Sequence, residues 1–95
     1  MKLLTDLEIE KRLKDFPDWD HHNNALTTEF EFDNFKNCMS AVFRIAFECE
    51  KLNHHPDWSN TYNLLKIKLY THDAGGVTDL DFKLAKSIEE IIEVE

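Results

Sequence analysis

Glycine, proline, cysteine and basic residues are all scarce in this chain. It contains two glycines, two prolines and two cysteines, and its 11 basic side chains stand against 19 acidic ones, for a formal charge of −8. An acidic surface repels nucleic-acid phosphates and anionic lipids, so neither is expected as the main partner. No apolar run approaches the roughly 20 residues that span a bilayer. The first residues lack the apolar region of a signal peptide, so none is expected.

The two cysteines, Cys38 and Cys49, fall within one predicted helix. A rise of about 1.5 Å per residue separates them by roughly 16 Å, which is too far for a disulfide. Unpaired thiols are typical of a reducing compartment, so a cytoplasmic protein is expected. The 95 residues predict a single domain with a modest core. Self-association is therefore expected.

Caps and apolar spacing predict a helix near each end of the chain. Thr5 and Glu8 form a capping box for the first helix, and Pro17 should end it. Leu4 and Ile9 are placed to form a hydrophobic staple across that cap. Thr78 should cap the last helix. The buried stripes of the two helices are predicted to be Ile9, Leu13 and Phe16 in the first, and Leu80, Leu84, Ile88, Ile91 and Ile92 in the last.

A longer helix is predicted in the middle of the chain, with Asp33 as its cap. It should stop near Asn53, because the residue before Pro56 is pushed out of the α region. Its apolar pattern is the strongest in the sequence and predicts the central core helix. The residues of that predicted core face are Phe35, Met39, Val42, Phe43, Ala46 and Phe47.

Alternating apolar and polar residues predict the strands. One runs from Leu26 to Phe32 after the turn residues 23–24, and it pairs with a first arm that carries Trp19. The other strand contains Leu65, Ile67 and Leu69, after a short strand over residues 58–62 and a bend near residue 63. The predicted fold is α+β, with two layers: a four-stranded antiparallel sheet with helices packed on one face (α-β-β-α-β-β-α).

Histidines cluster at two places in this predicted fold. His54 and His55 stand between the central helix and Pro56, at a helix-to-strand corner. His72 follows the second confident strand and precedes both glycines, which mark a bend. If the strand runs that far, the alternation points His72 away from the helix-covered face. The pair either caps the helix, whose dipole favours a cationic histidine, or shares one small pocket with His72.

Spacing narrows the chemistry open to these side chains. Neighbours in an extended segment point to opposite sides, so His54 and His55 do not easily bind one tetrahedral ion. No helical His-x3-His pair or nearby cysteine completes a zinc set, and no serine or cysteine sits in a nucleophile elbow. Proton transfer remains, since histidine has an unperturbed pKa of about 6.5. The other adjacent pair, His21-His22, is interpreted as solvated turn residues.

Two motifs carry a resemblance to a known family. They are Glu50-Lys51 with His54-His55-Pro56-x-Trp58, and Thr71-His72-Asp73-Ala74-Gly75-Gly76-Val77-Thr78 with Asp81. Together they resemble the pterin-4a-carbinolamine dehydratase family. The similarity runs from about residue 19 to residue 92 and includes Phe30-x-Phe32-x-x-Phe35. The family's fold, an antiparallel four-stranded sheet backed by helices, matches the predicted order of elements.

The resemblance implies a dehydratase. Its substrate would be a 4a-hydroxytetrahydropterin left by a pterin-dependent aromatic amino acid hydroxylase, and loss of water gives a quinonoid dihydropterin for recycling. The leaving hydroxyl needs a proton and a ring N–H needs a base, so no metal or cofactor is expected. A homodimer or homotetramer is also implied. The alternative is a non-catalytic module, because some relatives act as dimerisation cofactors of a transcription factor.

The same resemblance implies roles for individual residues. His54 and His72 match the acid–base histidines, and His55 matches the histidine that binds and orients the substrate. The expected substrate-binding set also includes Asn53, Trp58, Tyr70, Thr71, Asp73 and Asp81. Trp58 has ordinary packing as an alternative, and Asp81 has a capping box with Thr78. Glu50 either holds a histidine in one tautomer or stays solvated.

Overall fold

The computed structural model describes residues 1–94, which form three α-helices and one sheet. In chain order the elements are α1 (Asp6–Leu13), β1 (Asp20–His22), β2 (Ala25–Glu31), α2 (Phe35–Leu52), β3 (Asp57–Thr61), β4 (Leu64–Leu69), a 3₁₀ helix (His72–Ala74) and α3 (Asp79–Glu93). This order confirms the predicted α+β class. Within residues 1–94, no helix is long and apolar enough to cross a membrane.

The four strands pair antiparallel in the spatial order β1-β2-β4-β3. The tight β1–β2 turn is made by Asn23 and Asn24, whose φ angles are 49° and 60°, a conformation that asparagine tolerates. In β4 the alternation predicted from the sequence is observed. Leu65, Ile67 and Leu69 are buried and the lysines between them are exposed. One sheet face therefore packs into the core with α2 and α3, and the other is open.

Two predicted helix caps are confirmed and two boundaries are corrected. The capping boxes at Thr5 and Thr78 are both present. Asn34, not Asp33, caps α2, because the Asn34 Oδ1 accepts the Asn37 N–H at 2.8 Å. The helix α1 ends at Leu13, before the predicted Phe16. Between Leu13 and Pro17 the chain forms only single turns, in which a backbone N–H donates to the carbonyl three residues earlier. The helix does not continue because proline disfavours the α conformation in the residue before it.

The predicted core face of α2 is only partly right: Met39 and Val42 pack against the core, but the three phenylalanines do not. The buried residues of α2 are Cys38, Ala41, Ile45 and Cys49. At about 100° per residue, the centre of this face is rotated by roughly a third of a turn from that of the predicted stripe. Phe35, Phe43 and Phe47 instead remain exposed by 48%, 65% and 70%. The helix is apolar over a wide arc, and its small side chains allow close packing against the core, so the bulky rings point outward.

Candidate active site

The corner that follows α2 turns one histidine inward and its neighbour outward. Asn53 ends the helix in the left-handed conformation, with φ 50°, and the His54 N–H donates to the carbonyl of Cys49 at 3.0 Å. Asparagine is one of the few residues that accept this conformation at a helix end. His54 is then 8% exposed, while His55 is exposed. This agrees with opposite directions for adjacent side chains.

His54 is hydrogen-bonded to a carboxylate in the protein interior. Its Nε2 lies 2.5 Å from Oδ1 of Asp81, whose side chain is fully buried. The other oxygen of Asp81 accepts the Thr71 hydroxyl at 2.9 Å and the Thr78 N–H at 2.8 Å. A carboxylate only accepts, so the proton of this contact lies on His54 Nε2. Neutral His54 then presents Nδ1 as an acceptor.

The free ring nitrogen of His54 reaches the surface. Within residues 1–94, His54 Nδ1 has no hydrogen-bond partner, and this atom is not fully buried. The inner nitrogen is therefore held by Asp81, and the outer nitrogen is open to a ligand.

The two threonines beside Asp81 form a single chain of hydrogen bonds. Thr71 donates its hydroxyl proton to Asp81, so it must accept from the Thr78 hydroxyl, 2.7 Å away. The Thr78 oxygen in turn accepts the Leu80 N–H at 3.3 Å. This chain ties the start of α3 to the residue before His72. The predicted capping box of Thr78 and Asp81 is present, and it also supports the site.

His55 has a carboxylate partner of its own on the surface. Its Nε2 lies 2.6 Å from Oε2 of Glu50, in the last turn of α2. The side chains are 56% and 78% exposed, so solvent weakens this pair compared with the buried one. Of the two alternatives for Glu50, the contact with a histidine is the one observed.

His72 lies just beyond the end of β4. The strand stops at Leu69, one residue before Tyr70, so His72 opens the 3₁₀ helix rather than extending the sheet, and it is exposed. Its ring lies 4.3 Å from the ring of Tyr70, between centroids. The turn closes where Gly75 adopts a φ of 75°, which only glycine takes without strain. The Thr71 N–H donates to the Gly76 carbonyl at 2.8 Å.

The remaining predicted site residues lie around these histidines or apart from them. Asn53 and Asp73 are exposed beside His54 and His72 in the chain. Trp58 is 37% exposed on β3. It lines a groove of about 650 Å³ that includes Asp57 and Lys68 and contains none of the histidines. Within residues 1–94, no hydrogen bond or ion pair joins one histidine to another, so a single pocket for all three stays a prediction.

The two thiols are unreactive packing groups. Cys38 and Cys49 are both buried and free, as predicted. Burial raises the pKa of the Cys49 thiol to about 11, so it remains protonated at neutral pH. Across the described part of the chain, no group of three histidine, cysteine or acidic side chains is arranged to hold a metal ion.

Comparison with known proteins agrees with this fold. The family profile described as pterin 4 alpha carbinolamine dehydratase matches residues 2–91. The chain belongs to this family. A provisionally named pterin-4-alpha-carbinolamine dehydratase of Christiangramia forsetii is 48% identical over 93 residues, covering 98% of this chain and 96% of that protein. Another, from Prochlorococcus marinus, is 45% identical and covers 96% and 95%.

A solved structure of the family also matches closely. It is described as a transcriptional coactivator/pterin dehydratase from Brucella melitensis. The TM-score is 0.93 at 35% sequence identity, and the match covers 95% of this chain and 98% of that one. At this identity and coverage, the match supports both the predicted fold and the family relationship.

Sequence reasoning missed two features of this family member's site. It assigned Thr78 to a helix cap alone, although its hydroxyl also reaches Thr71. It assigned Tyr70 to the substrate-binding set and did not predict that the Tyr70 ring contacts the ring of His72. The signal for the Thr71–Thr78 contact is a polar residue that caps a helix next to a histidine motif. The Tyr70–His72 contact had no signal in the sequence, because it depends on where β4 ends.

Proposed function

We propose that this protein removes water from a 4a-hydroxytetrahydropterin to give a quinonoid dihydropterin. The observation that carries the proposal is the buried pair of His54 and Asp81. This pair leaves one imidazole nitrogen open to the surface and is linked through Thr71 to the residue before His72. A buried carboxylate that holds a histidine in one tautomer is a familiar arrangement for proton transfer. The family profile and the relatives' names support the same reaction.

The reaction requires two proton transfers and no change of oxidation state. The C4a–O bond breaks, and the departing hydroxide takes a proton to become water. A ring N–H gives up its proton, and its electron pair forms the new C=N bond. We assign the base to His54, because its Nδ1 is an acceptor in the neutral ring. His55 and His72 then share the acid step and the orientation of the hydroxyl. Help of this kind is typically worth about 10²–10⁴-fold in rate.

Asp81 acts on this reaction through His54. Its carboxylate is fully buried and already accepts three hydrogen bonds, so we assign it a positioning role rather than the substrate contact implied by resemblance. Asn53, Thr71 and Asp73 remain proposed pocket residues beside the histidines. Trp58 is proposed to supply aromatic surface for the flat pterin ring, since it is only partly buried. Tyr70 is assigned to the support of His72 rather than to the substrate, because its ring contacts the His72 ring.

The physiological role that we propose is tetrahydropterin recycling in the cytoplasm, coupled to a pterin-dependent aromatic amino acid hydroxylase. The two buried free thiols are consistent with a reducing compartment. Coupling to a hydroxylase follows from the chemistry, because oxygen transfer from a tetrahydropterin leaves the 4a-hydroxyl that this reaction removes.

The test measures loss of the carbinolamine absorbance produced by a hydroxylase reaction. We expect purified protein to accelerate this loss, and His54→Ala and His72→Ala each to reduce the rate strongly. The matched control is His22→Ala, which removes an exposed histidine of the β1–β2 hairpin and should leave the rate unchanged. Wild-type rates in both His54→Ala and His72→Ala would contradict the assigned roles.

We also propose that the protein is a homodimer or homotetramer that associates through α2. Phe35, Phe43 and Phe47 lie on one side of this helix, at spacings that are multiples of four. With exposures of 48%, 65% and 70%, the three rings offer about 300–450 Å² of apolar surface. The largest apolar patch on a monomeric soluble protein is commonly about 300–600 Å² and is often functional, so these three rings are a candidate interface. A second copy of the same helix would cover them.

Light scattering tests the association. Phe43→Asp should lower the measured mass toward that of one chain, because it places a charge at the centre of the apolar side. Leu7→Asp is the matched control, since Leu7 on α1 is 63% exposed and lies outside this side. An unchanged mass in Phe43→Asp would refute the α2 interface.

A non-catalytic role in transcription is the second candidate, favoured by the coactivator description of the Brucella melitensis structure. In that case the exposed phenylalanines of α2 would contact a different protein. Wild-type protein without dehydratase activity would favour this candidate, provided that partner binding survives in a variant lacking all three histidines.

A further inference from the structure

Each of the three histidines has a different kind of support. His54 is held by buried Asp81 and His55 by exposed Glu50, in both cases through a carboxylate within hydrogen-bond distance. His72 makes no side-chain hydrogen bond or ion pair within residues 1–94. The His72 ring instead packs against the ring of Tyr70, with 4.3 Å between the ring centroids and an interplanar angle of 47°.

Tyr70 is itself fixed between two neighbours. The Lys68 ammonium lies 5.4 Å from the centre of its ring, within cation–π range. Asp57 lies opposite Lys68 on the β3–β4 ladder, and its carboxylate interacts with the Tyr70 hydroxyl. Burial, followed by the negative charge of Asp57, raises the pKa of Tyr70, so the phenol stays neutral at pH 7. The ring is thus placed by the rigid part of the sheet.

We propose that Tyr70 is a positioning residue for His72, holding the imidazole by ring packing where a carboxylate is absent. This inference rests on the proposed dehydratase function. An exposed histidine at the start of a three-residue helix would otherwise sample several rotamers. Contact with a half-buried ring restricts that sampling. The contacts of Lys68 with Tyr70 and of Tyr70 with His72 therefore extend the rigid structure of β4 to the turn that follows its last residue.

The substitution that tests this is Tyr70→Leu, with Tyr70→Phe as the conservative variant. Misplacement of a reacting group by about 1 Å can cost as much as 10²-fold in rate. We expect Tyr70→Leu to lower kcat by about 10–100-fold with little change in KM, and Tyr70→Phe to restore most of the rate because the ring remains. Tyr62→Leu is the matched control, since Tyr62 is exposed in the turn at the other end of β4.

Two further measurements separate positioning from a direct role. In the His72→Ala background, Tyr70→Leu should cause no further loss of rate, because the group that it positions is gone. The ring protons of His72 should show an aromatic ring-current shift in NMR spectra of the wild type and of Tyr70→Phe. That shift should be lost in Tyr70→Leu and retained in Tyr62→Leu.

The outcomes distinguish this inference from the proposed function. A full additional loss from Tyr70→Leu in the His72→Ala background would overturn positioning, since Tyr70 would then act independently. An unchanged His72 shift in Tyr70→Leu would overturn the contact, whether or not the protein turns over substrate. Absence of turnover in the wild type, with the ring-current shift intact, would refute the dehydratase proposal and support the pairing of Tyr70 with His72.

Discussion

Replacement of Asp81 by asparagine should reverse the tautomer of His54. The carboxylate accepts from His54 at one oxygen and from Thr71 and the Thr78 N–H at the other. An asparagine has only one acceptor oxygen. The backbone N–H of Thr78 cannot become an acceptor, so the amide oxygen should stay beside it. The amide NH₂ then faces His54 Nε2, which must accept, and the imidazole proton moves to Nδ1.

The expected cost in rate follows from losing the base. With a proton on Nδ1, neutral His54 presents a donor to the substrate. Loss of general base catalysis is worth about 10²–10⁴-fold, which corresponds to about 2.7–5.4 kcal/mol of activation free energy. Stability should also fall, by about 1–3 kcal/mol, because hydrogen bonds to a charged group are exchanged for neutral ones and the second amide N–H is buried beside a single acceptor, His54 Nε2.

The assay combines the carbinolamine decay rate, urea unfolding and ¹⁵N chemical shifts of the His54 ring. Asp79→Asn is the matched control, two residues earlier in the first turn of α3. Asp79 pairs with Arg12 at 2.6 Å, with the Arg12 and Asp79 side chains 42% and 57% exposed, and such surface pairs contribute about 0–1 kcal/mol. The rate of carbinolamine decay with Asp79→Asn should equal that with the wild type. A wild-type rate in Asp81→Asn, with the ring proton shown to lie on Nδ1, would refute the assignment of His54 as the base.

Three further predictions concern the rest of the chain. Gly75→Ala should cost about 1–2 kcal/mol in urea unfolding, because φ is 75° there. Gly76→Ala should cost less, since its Cβ would clash only with the flexible side-chain end of exposed Leu3, at 2.7 Å, and would meet Asn24 at an ordinary contact distance of 3.9 Å; equal losses would contradict this. Burial is the main cause that raises the pKa of Glu89; a hydrogen bond from Trp19 opposes it, and the charge of Asp18 adds to it. A raised pKa in the native state means that folding penalises the ionised form of Glu89. Glu89→Gln should therefore raise Tm near pH 7, and this gain should vanish at acidic pH, where Glu89 itself is protonated. A gain that persists in acid would rule out this origin. With its pKa raised to about 11, the Cys49 thiol should resist thiol reagents at pH 8 until denaturant is added, and rapid labelling of the native protein would show that the site opens.

Local patterns in the sequence predicted most of the elements. Thr5 with Glu8 and Thr78 with Asp81 identified two helix starts, because a capping box satisfies exposed N–H groups within four residues of chain. Alternation of apolar residues from Leu65 to Leu69 identified the central strand. The family motif identified the three histidines. Each of these signals depends on residues that are close together in the chain.

The face of α2 was not predictable from local pattern. Phe35, Phe43 and Phe47 are larger and more apolar than Cys38 and Ala41, so periodicity alone selects the phenylalanines for the core. Packing reverses this choice, because the face that approaches the rest of the core carries mostly small side chains together with Ile45, and this close approach leaves no room for phenylalanine rings. A wide apolar arc leaves two faces open, and only the tertiary structure selects between them.

The sequence by itself determined the elements, their order, the family and which histidines carry the motif. Tertiary structure decided what holds each histidine. Asp81 lies 27 residues beyond His54, and Tyr70 contacts His72 because β4 ends one residue before Tyr70. These contacts depend on how α2, β4 and α3 meet in space, and no periodicity along the chain specifies the distance between atoms on different elements.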